Sequence, residues 1–241
     1  MDSSQRSVDR LQSPAILDRP GEDFERGKFD GLFLADVLGV YDVFGGNAEC
    51  AVCHASQVPV NDPLMLISAM ALIIRHLGFG VTCNLSYEPP YLFARRMSAL
   101  DHLTEGRIGW NVVTGYLDSA ARAMGLEKQM GHDQRYDVAE DYMQVVYKLW
   151  EGSWEDDAVL RDRSSGVYAR PDKVHSVLHT GPNYRVCYSP DRAVAAAHAG
   201  AVSGGNLIDR SGVCRPPRRM LVHVRADTEG DCTAIRRLAA E

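Results

Sequence analysis

Long apolar runs are missing from this 241-residue chain. The longest, residues 64–74, is broken by Ser68 and falls well short of the ~20 residues that span a bilayer, so no membrane helix is expected. A basic excess is missing too. Lys and Arg number 26 against 32 Asp and Glu, for a formal net charge of −6 and a pI near 5.8. A phosphate backbone demands a basic surface, so general nucleic-acid binding is not expected. Residues 1–11 are polar and include Asp2 and Asp9. They lack both the apolar core of a secretory signal and the acid-free character of a transit peptide, and cytoplasmic residence is the expectation. The six cysteines, at 50, 53, 83, 187, 214 and 232, are too scattered for a disulfide scaffold and are expected to be reduced thiols. Cys50-Ala-Val-Cys53-His54 matches the pattern of c-type haem attachment and half of a zinc site. With no second Cys/His pair at ligand spacing and no export signal, no metal or haem is expected there.

What is present is ordinary globular material: 45% hydrophobic and 24% charged residues, in a length that suits one large domain or two small ones. Residues 1–24 read as a polar segment containing Pro14 and Pro20, with the domain proper over 25–241. Gly31 to Asp36 reads as a short, continuously apolar strand ending in an acid, the pattern of a strand buried on both faces. Asp62 is placed to cap a helix with Pro63 at its first position, which Gly78 would close. A strand follows over 79–83, then a helix from about Tyr91 to Leu103 that stops at Gly106, then a β-branched strand over 108–114. Three strand–helix units in succession predict right-handed crossovers and a parallel sheet. No Gly-x-Gly-x-x-Gly follows the first strand, so the dinucleotide fingerprint is absent. Two architectures remain, an open doubly wound sheet and a (β/α) barrel. Polar residues gather at the strand C-terminal ends (Asp36, Thr82 with Asn84, Asn111 to Thr114), the end where barrel enzymes build their sites.

The densest polar cluster is His132-Asp-Gln-Arg-Tyr136, ahead of a helix whose face is marked by Val138, Tyr142, Val145, Val146 and Leu149. His132 and Tyr136 fall just before or within its first turn, where free N–H groups and the positive dipole end favour an anion. A His, an Arg and a Tyr hydroxyl there suit a phosphate. The same residues also suit a plain surface helix start whose polar groups face water.

Several longer phrases carry a resemblance. Gly27-Lys-Phe-Asp-Gly-Leu-Phe-Leu-Ala-Asp36, Val58-Pro-Val-Asn-Asp-Pro63, Gly106-Arg-Ile-Gly-Trp-Asn-Val-Val-Thr114 and Tyr116-Leu-Asp-Ser-Ala-Ala-Arg122 resemble the bacterial-luciferase-like flavin monooxygenases. So do His132-Asp-Gln-Arg-Tyr136, Leu149-Trp-Glu-Gly-Ser-Trp-Glu-Asp-Asp157 and Gly166-Val-Tyr168. The branch is similar to the large oxygenase component of the nitrilotriacetate and dibenzothiophene-sulfone monooxygenases, with dense likeness over residues 25–186.

The resemblance implies an α/β, (β/α)8 barrel of TIM type and reduced FMN supplied by a separate flavin reductase. It also implies transfer of one oxygen atom from O2 to a small organic substrate through a flavin hydroperoxide. Carried over residue by residue, the flavin contacts fall on Asp36 and Thr82 near the ring and on His132 and Tyr136 at the phosphate. No general acid or base is singled out. Trp110, Tyr87, Phe44 and Tyr41 are candidates for an apolar wall. The chain departs from the family at both ends. No apolar run before Gly31 supplies a first strand, and the Gly-Ala-Ser turn expected after residue 186 is either reduced to Ser203 or absent. Residues 220–225 read as one further strand and 228–240 as a helix. An incomplete barrel is therefore expected, with a homo-oligomer as one way to complete the fold. Two alternatives accompany the FMN reading: a deazaflavin-dependent hydride-transfer enzyme, and a truncated, non-catalytic paralogue or fragment.

Overall fold

The structure, a computed structural model, describes residues 22–189 together with the strand at 222–224. Four strands make the central sheet: β1 (Gly31–Leu34), β2 (Gly78–Asn84), β3 (Ile108–Val113) and β8 (Val222–Val224), in the order β1-β2-β3-β8. Every neighbouring pair is parallel, with Leu34 opposite Val81, Thr82 opposite Asn111 and Trp110 opposite Val222. Parallel neighbours need crossovers, and helices supply them. Helices α1 (Glu49–Cys53) and α2 (Pro63–Ile73) lie between β1 and β2, and α3 (Pro90–Leu103) lies between β2 and β3. After β3 come α4 (Asp118–Ala123) and the long α5 (His132–Glu151). Two antiparallel hairpins then interrupt the alternation: β4 (Val159–Asp162) with β5 (Val167–Ala169), and β6 (Val177–Thr180) with β7 (Arg185–Tyr188).

Local chemistry accounts for most boundaries. The Asp62 carboxylate accepts from the Leu64 N–H at 2.9 Å with Pro63 at the first helical position, so α2 begins where expected. Gly106 takes φ +75° and its N–H reaches the Asp101 carbonyl at 2.9 Å, closing α3. Gly78, expected to close α2, instead opens β2. Helix α2 already ends at Ile73, and the following corner is satisfied by Glu25, whose carboxylate accepts from the N–H groups of His76 and Leu77. Helix α5 starts at His132 itself and buries all five residues of its anticipated face.

The core lies between sheet and helices. Phe79, Val81 and Cys83 of β2 and Ile108, Trp110 and Val112 of β3 pack against Phe93 and Met97 of α3 and Tyr142, Val145, Val146 and Leu149 of α5. The Phe93 and Trp110 rings sit 4.2 Å apart, and the Trp110 Nε1–H is satisfied by the Cys83 carbonyl at 2.9 Å. Burying each such large side chain contributes about 1.5–3 kcal/mol. Alternation along the strands sends Gly80, Thr82 and Asn84, with Gly109, Asn111 and Val113, to the opposite, inner face.

Strand β1 departs from expectation. Leu32 and Leu34 pack partly onto the core, but Gly31 and Phe33 are exposed, Phe33 by 58%. A Cβ on Gly80 would meet the Phe33 ring at 3.2 Å, which fixes Phe33 on the inner face. Among the described residues β1 pairs on one side only, and the inner face has no opposing strand. The expected strand at 220–225 is present as β8, whereas Ser203 and the helix expected over 228–240 lie outside the described residues.

Candidate functional site

Parallel strands put all their C-terminal ends on one rim, and the polar residues singled out in the sequence collect there. Thr82 and Asn111 share a rung of the ladder on the inner face, both buried. Asn111 Nδ2 donates to Thr82 Oγ1 at 3.0 Å, which leaves the Thr82 hydroxyl proton for an acceptor on that face. Asp36 follows β1 by two residues and is half-buried. Burial raises its carboxyl above the ordinary range; the Val37 N–H opposes this, and the like charge of Asp62 adds to it.

The loops after β2 and β3 are bound to each other and to the start of α5. Ser86 Oγ donates to the Thr114 carbonyl at 2.6 Å, and the Ser86 N–H donates to Asn84 Oδ1 at 2.7 Å. Gly115 takes φ +70°, strained for any L side chain, and a Cβ there would lie 2.2 Å from Asn84 Nδ2 and displace it. Gln129 Nε2 donates to the Tyr87 hydroxyl at 2.9 Å, while its backbone N–H is held by Asp118 Oδ1 at 2.8 Å. Burial raises the Tyr87 phenol, with the Gln129 bond and Arg135 opposing.

Helix α5 then begins at His132, preceded by Gly131, which has no side chain to cap it, so among the described residues its first amides have no side-chain cap. A Cβ on Gly131 would meet nothing within 4 Å, so the approach to them is open. The His132 and Tyr136 rings lie against each other, centroids 4.9 Å apart, with His132 half exposed and its Nδ1 2.9 Å from Asp133 Oδ1. Arg135 behaves differently from the sequence expectation. It is buried and turned back, donating from Nη1 to the Met130 carbonyl at 2.7 Å, so it braces the turn and does not reach outward with His132. Two buried polar atoms here have no partner among the described residues: Thr114 Oγ1 and Arg135 Nε.

Of the four residues carried over from the family, Asp36 and Thr82 lie at the ends of adjacent strands, and His132 and Tyr136 share the first turns of α5. Of the wall candidates only Tyr87 joins this network. Trp110 is buried on the helix side, Phe44 is 79% exposed in a short turn, and the Tyr41 hydroxyl pairs with that of Tyr116 at 2.9 Å. Gln129 was not anticipated. It sits in Glu127-Lys-Gln-Met-Gly131, which has no motif, and only the fold brings it to Tyr87. Among the described residues no group of three His, Cys, Asp or Glu side chains is placed to hold a metal.

Residues 14–203 match the family model of the luciferase-like monooxygenases, well over half of the chain. The chain belongs to the luciferase-like monooxygenase family. It is 55% identical over 190 residues to the dimethyl-sulfide monooxygenase of Hyphomicrobium sulfonivorans, a match covering 76% of this chain and 40% of that protein. It is 54% identical over 187 residues to the long-chain alkane monooxygenase of Geobacillus thermodenitrificans, covering 75% and 42%. A crystal structure of a long-chain alkane monooxygenase superposes with a TM-score of 0.76 at 44% identity, over 91% of this chain and 46% of that one. A riboflavin lyase solved with modified FMN and riboflavin superposes with a TM-score of 0.70 at 40% identity, over 74% and 40%. The chain thus spans less than half the length of these relatives, and its four parallel strands are part of the (β/α)8 barrel of the luciferase-like monooxygenases.

Proposed function

We propose that this chain carries the flavin-binding part of a two-component monooxygenase that uses reduced FMN from a separate flavin reductase. It would place one oxygen atom of O2 on a small organic substrate. The carrying observation is the uncapped start of the 20-residue α5, with His132 and Tyr136 side by side on its first turns. Open N–H groups and a positive dipole end suit a phosphate, and the two side chains add donors beside them. Thr114, next after β3 on the same rim, has a buried Oγ1 with no partner among the described residues, which fits a ligand that runs along the rim.

Bound in its reduced form, FMN supplies the electrons that activate dioxygen. The chain's residues hold and screen it. Thr82 offers a hydroxyl proton on the inner face, and Asp36, with a carboxyl that keeps its proton more readily than usual, offers a hydrogen-bonding group at the end of β1. The Tyr87–Gln129 bond fixes the loop between the two ends of the cradle. The dense hydrophobic layer behind β2 and β3 shields one side of the sheet from water.

The relatives' names point to sulfides, alkanes and sulfones as substrates of those proteins, and a small, weakly polar substrate is the corresponding proposal here. A second reading, a flavin-binding paralogue without turnover, is favoured by the exposure of Phe33 on the inner face, because oxygen transfer needs a dry pocket. Titrating FMN into the purified chain and following flavin fluorescence tests the shared claim; binding that saturates is expected, and no binding overturns both readings. Adding a flavin reductase, NADH and a dialkyl sulfide then separates them. Sulfoxide formation supports the first reading, and FMN binding without product supports the second.

A further inference from the structure

Cys50 and Cys53 stand three residues apart on the single turn of α1, in the segment that joins β1 to α2. Both are free thiols; Cys53 is exposed and Cys50 half-buried beside the anchored, buried Ala51. We propose that Cys50 and Cys53 form a peroxide-sensitive dithiol that closes reversibly to a disulfide. The inference does not depend on flavin binding.

Three observations carry it. The first is reach. Residues i and i+3 of a helix have Cα atoms roughly 5 Å apart, inside the ~4.4–6.8 Å that a disulfide accepts. Their Cβ atoms, about 5–6 Å apart, must approach by roughly an ångström or more. A five-residue helix yields easily to this, being far shorter than the ~12 residues at which a helix sustains itself. The second is the ring of His54. Its Nδ1 lies 2.9 Å from the Cys50 carbonyl oxygen and 3.7 Å from Cys50 Sγ. The ring therefore lies against the sulfur that would react first and is held there by the Cys50 carbonyl. The third is selectivity. Burial pushes the Cys83 thiol up to about 12, so that sulfur stays protonated and sealed beneath the helices. Exposed Cys187 sits on β7 in the other half of the described chain, outside the α1 turn. Metal capture is the competing use of two cysteines and a histidine, and the three are not arranged as a ligand group.

The oxidant is hydrogen peroxide. The Cys50 thiolate attacks one peroxide oxygen; an S–O bond forms, the O–O bond breaks, and hydroxide leaves to be protonated to water. The sulfur is oxidised by two electrons to a sulfenic acid. The Cys53 sulfur then attacks it; the S–S bond forms, the S–O bond breaks, and the departing hydroxide takes the Cys53 proton as a second water. In sum two thiols and one peroxide give one disulfide and two waters, and a dithiol reductant reverses it.

The test is mass spectrometry on the full chain after dilute hydrogen peroxide, with free thiols blocked by iodoacetamide under native conditions. The peptide holding residues 50 and 53 should lose two hydrogens and escape alkylation, and dithiothreitol should restore both thiols. In Cys53→Ser, Cys50 should persist as a sulfenic acid that dimedone traps. In His54→Ala, Cys50 oxidation should slow about tenfold, the effect of losing one hydrogen bond of roughly 1.4 kcal/mol beside the reacting sulfur. The proposal is overturned if both thiols stay alkylatable at peroxide levels that oxidise Cys187. It is equally overturned if they oxidise without joining, or if either pairs with Cys83, Cys187, Cys214 or Cys232.

Discussion

His179 donates from Nε2 to Asp141 at 2.7 Å, with both side chains sealed from solvent. The other Asp141 oxygen accepts the N–H groups of Asn183 and Tyr184 at 2.7 and 2.8 Å, and His179 Nδ1 lies 3.0 Å from Lys148 Nζ. One carboxylate on α5 therefore receives three donors from the β6–β7 hairpin. It lies so close that a Cβ on Gly181 would come within 1.8 Å of it. The hairpin is thereby pinned to the helix that starts at the candidate phosphate site.

Asp141→Asn keeps the shape of this anchor but removes its charge and one acceptor, leaving buried donors unpaired. It should destabilise the chain by about 3 kcal/mol in urea unfolding. Wild-type stability should also depend on acid. Burial raises the Asp141 carboxyl, but the Asn183 N–H, His179 and the Tyr184 N–H outweigh it and leave the group below its ordinary range. A lowered folded pKa means the anchor stabilises above the ordinary ~3.9 and is lost as pH falls through the lower folded value. The Asn variant should show a flatter loss of stability below about pH 4, and an unchanged acid slope would refute this.

Asp101 should behave in the opposite sense. Burial near the C-terminal end of α3 raises its carboxyl from 3.8 to about 6, where the helix dipole also disfavours a negative charge. The folded chain then binds this proton more tightly than the unfolded chain, so stability is greatest below about pH 4 and declines toward pH 6. Asp101→Asn should stabilise by about 1–2 kcal/mol at pH 7. That is less than the ~3 kcal/mol of two full pKa units, since part of the side chain still meets water. It should also erase the slope between pH 4 and 6, and thermal unfolding across that range checks both.

His132→Ala should weaken FMN binding roughly tenfold to a hundredfold, the loss of one contact to a charged group at about 1.5–3 kcal/mol. Cys53→Ala, on a separate helix in the β1–α2 segment, should leave FMN affinity within about twofold, since a substitution away from the contacts shifts energies by ~0.5 kcal/mol or less. Equal affinities of the two variants in a fluorescence titration would remove His132 from the site.

Gly115→Ala tests the cradle without substituting any of the proposed flavin contacts. The residue sits at φ +70° with Asn84 Nδ2 where the new methyl would go. A cost of about 1–3 kcal/mol is expected in stability, with FMN affinity falling because the Asn84 side chain, which holds the Ser86 N–H, must move. Gly125→Ala, also at positive φ (+83°) but with open space around it, should cost only the backbone strain and leave FMN affinity unchanged.

Much of the framework was written locally. Asp62 and Pro63 start α2, Gly106 stops α3, and the spacing from Val138 to Leu149 sets the buried face of α5; the parallel order of β1, β2 and β3 follows from the helices between them. Each depends on residues within a turn or two, where capping, glycine conformation and helical periodicity act directly. The same strand–helix reading put Asp36 and Thr82 at one rim and His132 and Tyr136 at one helix start, and the structure has Asp36 two residues beyond β1, Thr82 within β2 and both aromatic rings on the first turns of α5.

Other features depended on contacts between distant segments, and no local pattern encoded them. A continuous apolar run suggested that β1 is buried on both faces, yet Phe33 is exposed, because burial of an inner face is decided by what lies opposite it. Trp110 looked like a wall of the site and instead fills the core behind it, since the pleat, fixed by pairing with β2, sends its ring toward α3 and α5. Gln129 reaches Tyr87 across 42 residues, and His179 reaches Asp141 across 38. The sequence alone determined the starts of α2, α3 and α5 and the presence of β1, β2, β3 and β8, whereas the short α1 and α4 and the two hairpins carry no comparable local signal. Tertiary structure decided which faces are dry and which polar groups meet, because desolvation and hydrogen bonding are settled by neighbours in space.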